Sequence, residues 1–86
     1  MGMSAALAMT YSTSCKRSVT IAGHETSVSL EPLFWGALEA AADEEALPLN
    51  ALIARIDAER LDSVPPPNLT SAIRQWLFAR AMNAVR

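Results

Sequence analysis

Apolar and polar residues alternate strictly in two short runs. Val19 and Ile21 interleave with Ser18 and Thr20, and Val28 and Leu30 interleave with Ser27 and Ser29. A period of two with β-branched residues predicts two strands, each with one apolar and one hydroxyl-rich face. Between them stands Ala22-Gly23-His24-Glu25, where Gly23 can take the positive φ that a tight turn needs. Residues 18–30 therefore read as a hairpin. Such a ribbon is not stable alone in water, so its apolar face needs a cover.

The period then changes to that of a helix. Glu31-Pro32 suits a helix start, with proline in the first turn and an acid complementing the dipole. Phe34, Leu38, Ala41, Ala42 and Glu45 mark a stripe with Trp35 beside it, and Leu47-Pro48 predicts the end. Asp43, Glu44 and Glu45 read as a solvated acidic end. Leu49, Leu52, Ile53 and Ile56 then recur at i, i+3, i+4, i+7, predicting a second helix over 49–61. Residues 63–67, Ser-Val-Pro-Pro-Pro, cannot continue a helix and read as a stiff linker. Asn68 offers an N-cap for a third helix carrying Leu69, Ile73, Trp76, Leu77 and Arg80. Residues 1–15 carry no pattern and read as a flexible tail, and 16–86 as a single domain. The predicted class is mainly α with a short β-ribbon: hairpin, helix, helix, linker, helix.

Composition changes the picture in one respect. At 86 residues and 51% hydrophobic, the chain is rich in apolar surface for one small core, which points to a shared interface. One cysteine, Cys15, and one histidine, His24, supply neither a disulfide framework nor an ordinary zinc set. His24 reads as a turn residue, and the lone thiol fits a reducing compartment, so the expected location is cytoplasmic. No segment has the length or flanks of a membrane span or a secretory signal. No nucleophile–base pair, metal set or phosphate loop is visible, so neither catalytic residues nor a cofactor are expected.

Charge is uneven. The net value is −2, yet up to Asp62 there are four basic and nine acidic side chains, whereas Arg74, Arg80 and Arg86 follow without an acid. Phosphate binding needs a local basic cluster rather than a basic total.

From Lys16 to Arg60 the chain resembles the ribbon-helix-helix domains of bacterial repressors, the Arc/Met repressor-like fold, in element order, length and apolar positions. Lys16-Arg17-Ser18-Val19-Thr20-Ile21, Gly23-His24, Thr26-Ser27-Val28-Ser29-Leu30-Glu31 and Phe34-Trp35 are similar to the signature of a proteobacterial subfamily of these proteins. The likeness continues through Ile56-Asp57 and residues 68–74. It implies an intertwined homodimer, or a higher oligomer, with a core of Val28, Leu30, Phe34, Trp35, Leu38, Leu52, Ile53, Ile56 and Trp76. It further implies a ribbon, to which each subunit gives one strand with either strand of the hairpin as the central one, laid in the major groove of double-stranded DNA, with outward side chains on base edges and the start of the second helix at a phosphate. The residues so implicated are Lys16, Arg17, Ser18, Thr20, Ser27, Ser29, Leu49 and Asn50. Two positions depart from the pattern: Glu25 puts a carboxylate beside the ribbon, and Pro48 replaces a hydroxyl cap. The leading functional reading is a DNA-binding transcriptional regulator. The rival is an antitoxin-like or adaptor protein whose C-terminal helical part holds another protein.

Overall fold

The computed structural model describes residues 11–84. Strands β1 (Cys15–Ile21) and β2 (His24–Leu30) form an antiparallel hairpin whose register pairs Cys15 with Leu30 and Ile21 with His24. The turn is therefore only Ala22-Gly23, with φ of 51° and 82°. Two positive φ values give the turn whose twist matches that of the strands. It is tighter than the expected 22–25, and His24 and Glu25 belong to β2. The sheet also starts earlier than alternation alone indicated, taking in Cys15, Lys16 and Arg17. Residues 11–14 are exposed and irregular. The remainder of the expected tail, 1–10, lies outside the described residues.

Helix α1 (Pro32–Glu44) follows with Glu31 as N-cap and proline in its first turn. It stops three residues before Leu47-Pro48 for a reason other than proline. Ala46 has φ 56°, its N–H donates to the Asp43 carbonyl at 3.1 Å, and the Leu47 N–H reaches the Ala42 carbonyl at 2.9 Å. This is a Schellman closure with alanine where glycine is usual. An L-residue in that conformation costs roughly 1–2 kcal/mol, part of which glycine returns through its freer unfolded chain. Ala46→Gly is expected to raise stability by roughly 0.5–1 kcal/mol, seen as a higher urea midpoint at unchanged slope.

Helix α2 (Leu49–Arg60) and helix α3 (Leu69–Ala84) complete the chain. The Ser71 N–H donates to Asn68 Oδ1 at 2.8 Å, so the predicted cap forms. The proline segment does not release α3 into solvent: Arg60 Nη1 donates to the Pro67 carbonyl at 3.1 Å, and Ala72, Ile73 and Leu77 are buried.

The core joins Val19, Val28 and Leu30 of the hairpin to Trp35, Leu38, Ala41 and Ala42 of α1. Leu52, Ile53 and Ile56 of α2 and the three buried residues of α3 complete it. No polar or charged side chain among the described residues is buried. Trp35 is 1% exposed whereas Phe34 is only half-buried, which reverses the order their spacing implied. The indole takes the deeper site because its N–H finds a partner there: Nε1 donates to the Cys15 carbonyl at 2.9 Å. Of the residues expected to form a dimer core, all but Phe34 and Trp76 are buried by the chain's own elements. The apolar face of the hairpin is likewise covered by helices of the same chain.

Candidate functional site

Strand alternation sorts the hairpin into two surfaces. Across-strand partners share a face, so the outward surface consists of Lys16 with Ser29, Ser18 with Ser27, and Thr20 with Glu25. All are exposed except Ser29, which is half-buried. Lys16, Ser18, Thr20, Ser27 and Ser29, all candidates from sequence, are thus brought together on one polar face. Glu25, not among those candidates, completes it; its parity with Ser27 and Ser29 was the available signal.

Arg17 is not part of this face. It lies opposite Val28 on the core-facing side, where its guanidinium stacks 4.5 Å from the Trp35 ring centroid and meets Glu39 at 2.8 Å. Parity with Val19 would have placed it there, had the strand been read as starting before Ser18. Leu49 and Asn50 stand on a separate element. The N-cap of α2 is Pro48, whose carbonyl accepts from the N–H of Ala51 at 3.0 Å and of Leu52 at 3.1 Å. The N–H groups of Leu49 and Asn50 begin the helix, where intrahelical acceptors are missing; Asn50 is exposed and Leu49 half-buried.

The distribution of cations decides what the surface can attract. Arg55 pairs with Glu45 at 3.4 Å, Arg60 with Asp57 at 2.8 Å, and Arg74 with Glu31 at 2.9 Å. Arg80 holds both Glu44 and Glu45, each at 2.7 Å. Arg74 and Arg80 also lie over the rings of Phe34 and Trp76, at 5.5 and 5.4 Å. Among the described residues, Lys16 is the one lysine or arginine without a carboxylate partner. The acid-free C-terminal segment is consequently no basic patch in its described part, since its arginines answer the acids at the two ends of α1. The expected solvated acidic end is correspondingly a junction, with Glu45 tied to α2 and α3 at once.

These pairs make folding sensitive to acid. Hydrogen bonding from Arg74 holds the Glu31 carboxyl below the usual carboxylate range, and Arg80, with Arg55, does the same for Glu45. A carboxylate whose folded value is depressed stabilises the fold at pH above its unfolded value, and the contribution disappears as pH falls through the folded value. Stability should therefore be flat near neutrality and decline below about pH 4.5, the ordinary carboxylate region. The double variant Glu31→Gln, Glu45→Gln should be less stable at pH 7 and show a shallower acid decline, checked by urea midpoints at pH 7, 5, 4 and 3. Both groups lie at the surface, so added salt should shrink the difference.

No group of three or more His, Cys, Asp or Glu side chains suited to a metal ion occurs among the described residues. Nor is any described helix long and apolar enough to cross a membrane. The site is thus a polar two-stranded surface backed by an apolar core. Compared with known protein families, the chain matches the model described as a ribbon-helix-helix domain, over residues 14–81. No curated protein and no solved structure matches it.

Proposed function

Since the chain belongs to the ribbon-helix-helix domain family, we propose that it is a DNA-binding transcriptional regulator whose hairpin enters the major groove. The observation that supports this is the outward hairpin face. Every one of its side chains is polar, while the opposite face is anchored in the core. The major groove admits a two-stranded ribbon, and hydroxyls of Ser18, Thr20, Ser27 and Ser29 can bond to several bases. The family generally binds DNA as a dimer, and affinity argues for the same here. One ribbon offers a single unpaired cation, Lys16, and electrostatic attraction grows with each phosphate neutralised. Two copies double that attraction and the number of bases reached. The free N–H groups of Leu49 and Asn50 at the start of α2 would hold a further phosphate.

The test is fluorescence anisotropy of duplexes selected from genomic DNA, titrated at several salt concentrations, with oligomeric state followed by light scattering. Lys16→Ala on both subunits should flatten the slope of log affinity against log salt by about 0.9 for each phosphate that is no longer neutralised. Ser27→Ala with Ser29→Ala should relax sequence preference, each hydrogen-bonded base being worth roughly 1–3 kcal/mol. Absence of salt-sensitive binding in the wild type would overturn this reading.

A second reading is favoured by α3. Phe78 is 66% and Met82 49% exposed, one turn apart on the side away from the core. An apolar pair so placed suits a protein partner, as in an antitoxin-like or adaptor protein. Phe78→Ala would then abolish partner capture and leave DNA binding intact.

A further inference from the structure

Glu25 is the outward hairpin residue whose charge opposes a phosphate. It is exposed, it lies opposite Thr20, and no lysine, arginine or histidine among the described residues pairs with it. Lys16 cannot neutralise it, because the two occupy opposite corners of the polar face. They are separated by two cross-strand rows and one strand spacing, roughly 14 Å at ordinary sheet dimensions. His24 precedes it but lies on the other face, beside Ile21. The carboxylate is therefore fully available to whatever the face meets.

The edges of the bases differ in how they meet a carboxylate. In the major groove guanine presents only acceptors, and thymine an acceptor and a methyl group. Adenine has a donor beside an acceptor. Cytosine alone presents its N4 amino donor with no acceptor of its own beside it, so it is the base a carboxylate favours. Phosphates repel the same carboxylate at every sequence alike. From these placements we infer that Glu25 is a specificity-determining residue that accepts a hydrogen bond from a cytosine N4 amino group. Its charge depresses binding to all other duplexes. The inference rests on the DNA-binding reading.

The experiment uses the full chain with a randomised duplex pool, sequencing what is retained by wild type, Glu25→Ala and Glu25→Gln. Wild type is expected to enrich cytosine at one position per half-site, by roughly 5- to 150-fold over the other bases. Glu25→Ala should lose that enrichment while keeping the others, and Glu25→Gln should move it towards adenine, which the amide matches through N6 and N7. Both variants should bind random duplexes more tightly than wild type, and circular dichroism should show all three equally folded. If cytosine is not enriched by wild type, or remains enriched with alanine at position 25, the inference is wrong while DNA binding stands. If wild type retains no duplex even at low salt, DNA binding and the inference fall together.

Discussion

Trp35→Ala is expected to lower the free energy of unfolding by about 3–5 kcal/mol, as truncation of a buried aromatic does. The side chain is 1% exposed and belongs to the core that the hairpin shares with the helices. Two further groups depend on it: the Cys15 carbonyl loses the indole N–H, and Arg17 loses the ring it stacks on. For a chain of this length total stability is on the order of 5–10 kcal/mol, so the variant will be near the limit of folding at room temperature. Trp35→Phe keeps a ring for Arg17 and removes the hydrogen bond and some volume; its cost should be about 1–2 kcal/mol. Urea unfolding followed by circular dichroism measures both. A loss below about 1 kcal/mol for the alanine variant would show that the indole is not packed as described.

The second large effect is Ile73→Ala, expected to cost about 2–5 kcal/mol because the side chain is fully buried at the seam between α3 and the rest of the core. Its control stands on the same helix. Phe78→Ala removes a larger side chain that is 66% exposed, and the change should stay within about 0.5 kcal/mol, the scale of surface substitutions. The contrast distinguishes a docked helix from an arm held only by the proline segment. Equal, small effects at the two positions would mean that α3 contributes nothing to the fold of the domain.

Features governed by neighbours in sequence were legible without a structure. Alternation gave the inward Val19, Val28 and Leu30, and the positive φ of Gly23 and the cap at Asn68 followed from residue chemistry. The end of α1 was not legible, because alanine at position 46 carries no signal for a left-handed residue. Nor was the order of Phe34 and Trp35, which depends on a carbonyl twenty residues away. Lys16 shares the outward face with the hydroxyls of Ser18, Thr20, Ser27 and Ser29, whereas Arg17 lies on the other face; sequence did not separate the two because the first strand begins before its alternation becomes evident. Burial was legible only in part. Spacing alone cannot reveal which helices meet, so the closing of the core by Ala72, Ile73 and Leu77 of α3 within one chain was not visible in the sequence.

The two faces of the hairpin also differ in how they tolerate change over generations. Ser18, Thr20 and Ser27 are exposed, so exchanging any of them leaves the core untouched. Gaining or losing one residue inside β2 is another matter: it would send Val28 and Leu30 into water and the serines into the core. Descendants of this chain can therefore revise the outer surface one substitution at a time, whereas insertions and deletions survive only at the Ala22-Gly23 turn or beyond the strand ends. Chemical variety at positions 18, 20, 25 and 27, with no change of length between 24 and 30, is the pattern such a history would leave.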